Sequence, residues 1–218
     1  MVTPLCKLAL KYGTDKCPQL KHSYTPFYYQ LLKDKRREIK KVLEMGIGFF
    51  PGMPEKKVFF DPGLKRTYHM GASLYMWRDF FPNAQIFGAD DHPETLFEDN
   101  RIQTFLCDET KKEDIVELVK KTGTDIDLFI DDANHNSRKQ IFLAKNLMPL
   151  LKKDVIYIIE DVYYPDNILN ALSEYDCQIS QFPPKLQEDR LIVVRHKRWI
   201  SIVIKPNFEF RHFKTKTI

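Results

Sequence analysis

Two short apolar runs in this chain end abruptly in acids. Ile126-Asp127-Leu128-Phe129-Ile130 runs into Asp131-Asp132 and then Ala133-Asn134-His135, and Val155-Ile156-Tyr157-Ile158-Ile159 runs into Glu160-Asp161. Runs of this length, rich in Ile and Val, read as strands buried on both faces. In an open parallel α/β sheet, ligands bind beyond the carboxyl ends of the strands. Asp131, Asp132, Glu160 and Asp161 are therefore expected at one rim, with His135 just past the first run. Carboxylates gathered so closely repel one another, and keeping them ionised calls for a cation. The chemistry suggested is a hard-metal site with a histidine beside it. Strand-to-helix turns also use acids as helix N-caps and solvated loop ends, and these two segments alone leave both readings open.

The elements that must position these residues alternate in type. Lys41-Val42-Leu43-Glu44-Met45-Gly46-Ile47-Gly48 reads as a first strand entering a glycine turn. Gly46 and Gly48 permit a tight turn and close approach of a ligand to the backbone. Ala84 to Asp90 is a second strand, and its terminal Asp90 sits where an acid accepts hydrogen bonds from ribose hydroxyls. Ile102 to Leu106 is a third, followed by Cys107-Asp108. Helices are expected over Pro4 to Tyr12, stopping at Gly13, and after Thr25 as N-cap with Pro26 in the first turn. Further helices are expected over Gly71 to Phe81, Thr110 to Lys121, Ser137 to Lys152 and Pro165 to Tyr175. Phe49 to Met70, with Pro51, Gly52, Pro54, Pro62 and Gly63, has no clear period and reads as a long loop. Leu191 to Val194 and Ile200 to Ile204 read as a closing antiparallel pair. The alternation implies an α/β fold with a mostly parallel, doubly wound sheet.

Size and composition fit that class. A chain of 218 residues, 43% apolar and 29% charged, can bury one core as a single domain. The net charge of +4, from 34 basic and 30 acidic residues, is spread along the chain and is only weak evidence for a nucleic-acid or anionic-surface partner. The basic run Lys33 to Lys41 reads as a solvated helix end. Cys6, Cys17, Cys107 and Cys177 match no zinc spacing and read as reduced thiols of a cytoplasmic protein. There is no signal-peptide pattern and no stretch near the ~20 apolar residues of a membrane span.

The motif Glu44-x-Gly46-x-Gly48, with acids ending the second and third strands and an antiparallel pair closing the sheet, resembles a class I methyltransferase. Such enzymes use S-adenosylmethionine as methyl donor. A more specific set is Tyr12-Gly13-Thr14-Asp15-Lys16, His22-x-Tyr24-Thr25-Pro26-x-Tyr28, Gly71-Ala72-Ser73-Leu74-x-x-Trp77, Asp132-x-x-His135 and Ile159-Glu160-Asp161. Together these are similar to the metal-dependent sugar O-methyltransferases of the mycinamicin 2''-O-methyltransferase type and the related rhamnosyl O-methyltransferases and cephalosporin-hydroxylase-like proteins. The resemblance spans roughly Lys7 to Tyr163. The usual third glycine is replaced by Phe49-Phe50. The Lys-, Phe- and Ile-rich composition also resembles glycan-modifying methyltransferases of large DNA viruses, which would act in the host cytoplasm.

The resemblance implies a Rossmann-like class I methyltransferase. It would have a mostly parallel seven-stranded sheet with a closing antiparallel strand, an N-terminal helical lid and cofactor segment over residues 1–38, and a loop insertion over 49–70. It implies Asp132, Glu160 and Asp161 as ligands of Mg²⁺ or Mn²⁺, with His135 as catalytic base beside Asp132. It places Thr14, Asp15, Lys16, Glu44, Gly46, Gly48, Ser73, Asp90, Asp108 and Asp131 at the S-adenosylmethionine site. The acceptor is expected to be a sugar or glycan hydroxyl, such as one on a deoxysugar. Tyr24, Tyr28 and Tyr163 are candidate acceptor contacts, because aromatic faces suit the C–H side of a sugar. The rival acceptors are a catechol or small phenol and, more remotely, a nucleic acid. A homo-oligomer stays open.

Overall fold

The parallel strands at the centre of the molecule are buried on both faces, so their apolar runs specify position with little help from alternation. The computed structural model describes residues 2–48, 58–61, 66–182 and 190–197. Strands β1 (Lys41–Met45), β4 (Gln85–Asp90), β6 (Ile102–Leu106), β7 (Leu128–Asp131) and β8 (Ile156–Ile159) are parallel neighbours. Two edges complete an eight-stranded sheet. β5 (Glu98–Asp99) pairs antiparallel with β6, while β10 (Arg190–His196) runs antiparallel between β8 and β9 (Tyr175–Gln181), giving the order β5-β6-β4-β1-β7-β8-β10-β9. β7 and β8 are buried at every position.

One face carries α1 (Pro4–Tyr12), α2 (Tyr24–Leu32) and α3 (Ala72–Phe80) over a core that includes Leu74, Trp77, Ile130 and Ile158. The other carries α4 (Lys112–Thr122), α5 (Ser137–Leu147) and α6 (Pro165–Ala171) over Leu43, Phe129, Leu143 and Tyr157. Local chemistry sets the helix ends near the site. The Thr3 side chain accepts from Cys6 N, and Gly13 closes α1 in the left-handed region at φ 78°. The Arg101 guanidinium donates to the carbonyls of Arg78, Phe81 and Ala84, which ties down the end of α3.

Several sequence expectations change. The sheet has eight strands, because β5 is a two-residue edge pair with no readable period. Part of the expected loop 49–70 is an antiparallel hairpin, β2 (Val58–Asp61) with β3 (Arg66–His69). The closing antiparallel partner of β10 is β9, which starts at Tyr175, the last residue of the expected helix, and continues through residues with no expected element. β9 has an apolar-poor sequence and a single neighbour, so it lacks the run that marks a central strand. Residues 200–204 lie outside the described residues.

Candidate active site

The carboxyl ends of β1, β4, β7 and β8 open into a cavity of about 600 Å³, within the size range of sites for small ligands. Its floor is the turn after β1. Gly46 has φ 86°, and a Cβ there would run into the backbone of Asp132 and Ala133. That close approach brings the ends of β1 and β7 together, supported by Asp132 N donating to Met45 O at 2.9 Å and Gly46 N to Ala89 O at 2.8 Å. Asp90 fastens the same turn from β4. Its Oδ2 accepts from Ile47 N at 3.0 Å and its Oδ1 from His92 N at 3.1 Å. Burial raises the Asp90 pKa, and these two amides only partly offset it.

At the other end, a buried polar cluster joins the N-terminal segment to the strand tips. The Lys16 ammonium lies 3.2 Å from Glu44 Oε1 and 2.5 Å from Asp132 Oδ2, and it also pairs with Glu160. Tyr28 donates to Glu160 Oε1 at 2.5 Å, and Tyr24 donates to Asp161 Oδ1. Glu44, wholly buried, is further held by the Ser73 hydroxyl and by the Trp77 indole N–H at 3.0 Å. Asp161 adopts a left-handed φ of 51°, uncommon for a residue with a side chain. This conformation at the first residues past β8 accompanies the turning of its carboxylate toward both Tyr24 and His135.

His135 completes the cluster from the loop before α5, which Asn136 caps by accepting from Arg138 N. Its Nε2 is 3.6 Å from Asp132 Oδ1 and 3.3 Å from Asp161 Oδ2, and the Tyr163 ring stacks beside it at 6.4 Å. Burial lowers the His135 pKa, but Asp132 and Asp161 outweigh it and leave it raised. Asp132 is held well below the usual carboxylate range: burial opposes this, while Lys16 and His135 prevail. Burial raises Asp161 and, far more, Glu160, although Lys16 partly offsets the latter. Asp132 is thus the member of the cluster most firmly ionised.

The structure brings Thr14, Asp15, Lys16, Gly46, Gly48, Ser73, Asp90, Asp132, His135, Glu160 and Asp161 to the cavity wall. Other expected residues lie elsewhere. Glu44 is behind the wall, bound to Lys16 and Trp77. Asp108 turns to the Thr110 amide and hydroxyl and to Lys111, and its neighbour Glu109 lines the cavity instead. Asp131 points from β7 to the opposite face, where burial pushes its carboxyl up to about 8. Tyr24 and Tyr28 are wholly buried, bind carboxylates and do not line the cavity. Tyr163 does not line the cavity; it is 38% exposed and packs its ring beside His135. Sequence reasoning missed Lys21, His22, Asp91, His92 and Glu109 on the wall. His22 lies within the His22-x-Tyr24-Thr25-Pro26-x-Tyr28 motif, and Asp91 and Glu109 adjoin the candidate acids Asp90 and Asp108.

The donor set suits a hard divalent ion. Asp132, His135 and Asp161 each offer a ligand atom, all within 4.8 Å of one another, and two of the three are carboxylates. Both Glu160 oxygens are engaged, one by Tyr28 and one by Lys16, so in this arrangement Glu160 serves the lysine.

Comparison with known proteins adds ancestry. No family model matches the sequence. Mycinamicin VI 2''-O-methyltransferase of Micromonospora griseorubida is 31% identical over 160 residues, covering 73% of this chain and 36% of that protein. Demethylmacrocin O-methyltransferase of Streptomyces fradiae is 30% identical over 159 residues, again 73% of this chain and 36% of its relative. The MycE methyltransferase from the mycinamycin pathway, solved with Mg and SAH, superposes with a TM-score of 0.71 at 22% identity, covering 93% of this chain and 57% of that one. The chain is related to sugar O-methyltransferases and has the class I methyltransferase fold. This methyltransferase-fold chain spans little more than a third of the length of the curated relatives it matches. Among its described residues, no helix is long and apolar enough to cross a membrane.

Proposed function

We propose that this chain transfers a methyl group from S-adenosylmethionine to a hydroxyl of a sugar, of the deoxysugar kind found in glycosides. The observation that supports it most is the placement of His135 Nε2 between Asp132 Oδ1 and Asp161 Oδ2, at one end of a cavity whose other end holds Asp90 and the glycine turn. Relatives named for a glycosyl acceptor, such as the 8-demethyl-8-(2-methoxy-alpha-L-rhamnosyl)-tetracenomycin-C 3'-O-methyltransferase of Streptomyces olivaceus and the L-olivosyl-oleandolide 3-O-methyltransferase of Streptomyces antibioticus, support the acceptor class.

The residues divide the work as follows. Asp90 and the turn at Gly46 and Gly48 hold the nucleoside part of the donor. The acid-rich wall between them and His135 suits a donor that carries a positive sulfonium. A sugar hydroxyl is a poor nucleophile because it holds its proton tightly. His135 in its neutral form accepts that proton, and ionised Asp132 and Asp161 stabilise the resulting imidazolium. The hydroxyl oxygen gains the methyl carbon as the carbon–sulfur bond breaks and its electron pair stays on sulfur. A divalent ion, Mg²⁺ or Mn²⁺, held by Asp132 and Asp161, would supply Lewis-acid polarisation of the acceptor hydroxyl. Tyr163, partly exposed and stacked beside His135, offers a face to the sugar ring.

The test is methyl transfer from labelled S-adenosylmethionine to a panel of rhamnosides and related 6-deoxyhexosides, with catechols alongside. Methylated glycoside is the expected product. Turnover of catechols with none of sugars would overturn the acceptor assignment.

A further inference from the structure

The inner side of the carboxylate cluster is neutralised by the protein itself. Lys16 is 1% exposed, and its ammonium meets carboxylates from the ends of three strands: Glu44 in β1, Asp132 after β7 and Glu160 after β8. A lysine so deeply buried is costly unless it is paired, and three converging acids, two of them (Glu44 and Glu160) fully buried, are costlier still without a cation. The lysine is also fixed by its own backbone. Its carbonyl accepts from Tyr24 N at 3.1 Å and Thr25 N at 2.9 Å, at the first turn of α2. The same helix sends the Tyr24 and Tyr28 hydroxyls to Asp161 and Glu160. Asp132 is therefore approached from two sides: Oδ2 faces the ammonium at 2.5 Å, and Oδ1 faces His135 at 3.6 Å.

We propose that Lys16 is a positioning residue acting as the permanent cation of this cluster. It holds Glu44, Asp132 and Glu160 together and confines any exchangeable divalent ion to the side of Asp132 Oδ1 and Asp161 Oδ2. The second half rests on the metal-dependent reading above; the first does not. Lys16 also makes assembly of the acidic cluster depend on docking of the N-terminal segment, since it reaches the strand ends from the loop between α1 and α2.

The experiment compares wild type, Lys16→Met and the double variant Lys16→Met/Glu160→Gln by thermal melting and by Mn²⁺ titration followed with electron paramagnetic resonance. Lys16→Met leaves three acids without their ammonium, so a divalent ion should enter in its place. Bound Mn²⁺ should rise by one equivalent over wild type, and Mn²⁺ should raise the melting temperature by at least about 4 °C more than it does for wild type. The double variant removes one charge of each sign and should lose most of that extra response. If Lys16→Met folds only when Mn²⁺ is added, and not in NaCl of equal ionic strength, the proposal is equally supported. Unchanged Mn²⁺ stoichiometry and an unchanged melting response in Lys16→Met overturn it, as does failure to fold under both conditions. Wild type that shows no response to Mn²⁺ contradicts the metal reading instead, and an added response in Lys16→Met still supports the role of Lys16.

Discussion

His135 Nε2 stands 3.3 Å from Asp161 Oδ2, although one residue precedes α5 and the other follows β8. The left-handed backbone of Asp161 and the Tyr24 hydroxyl on its other oxygen orient that carboxylate. An imidazole between two carboxylates, beside a cavity, is equipped to take a proton and stabilise the charge it acquires.

Replacing His135 by Ala should therefore cut turnover by roughly 10²- to 10⁴-fold. Its ring is not part of the Asp90 end of the cavity, so affinity for S-adenosylhomocysteine measured by calorimetry should stay within about twofold. Undiminished turnover removes His135 as the base. Because its pKa is raised, wild-type kcat/KM should climb with pH through a range above the ordinary histidine value, and the rising limb should disappear in the variant.

Asp90 has a different task. Its carboxylate joins the β1 turn to β4 through Ile47 N and His92 N and faces the donor site. Hydrogen bonds to charged groups are worth about 1.5–3 kcal/mol, so Asp90→Ala should weaken S-adenosylhomocysteine binding at least about tenfold. Calorimetric affinity equal to wild type would mean that the ribose is held elsewhere.

Tyr28 holds a buried carboxylate, Glu160. Tyr28→Phe leaves a wholly buried Glu160 oxygen without its donor, which should cost about 1.5–3 kcal/mol and lower the melting temperature by about 4 °C or more. The acceptor KM should stay unchanged. A variant as stable as wild type with a raised acceptor KM would restore the acceptor-contact reading.

Asp131 predicts the sign of a pH effect. Its carboxyl moves from 3.8 to about 8 on burial, so the folded state keeps a proton that the unfolded chain loses. Stability from this residue is full below about pH 4 and is lost as pH rises through about 8. A shift of that size is worth on the order of 5 kcal/mol. Asp131→Asn should leave melting at pH 4 nearly unchanged and raise it at pH 8. A gain larger at pH 4 than at pH 8 would contradict this assignment.

The site was legible in the sequence where chemistry coincided with an abrupt end of structure. Asp132, Glu160 and Asp161 close all-buried runs, and Gly46 lies where a Cβ would strike the Asp132 backbone. What stayed hidden depends on distant partners. Lys16 meets Asp132 and Glu160 across 116 and 144 residues of chain, and nothing local marks it as a buried cation. Residue type alone could not tell that Tyr24 and Tyr28 present hydroxyls to acids rather than rings to a ligand. Asp108 and Glu109 are adjacent acids, and only the path of the chain into α4 decides which one binds the Thr110 amide and hydroxyl and which one faces the cavity. β9 stayed unread because Tyr175–Gln181 mixes polar and apolar residues and pairs on one side only.

In the proposed reaction Asp132 and Asp161 hold a divalent ion while His135 accepts the proton of a sugar hydroxyl. The most direct measurement is methyl transfer to a deoxyhexoside before and after chelation, with Mg²⁺ then restored, for wild type and Asp161→Asn. Chelation should abolish transfer, Mg²⁺ should restore it in wild type, and Asp161→Asn should stay impaired at the same Mg²⁺ concentration. Full activity of wild type in the presence of chelator would contradict it.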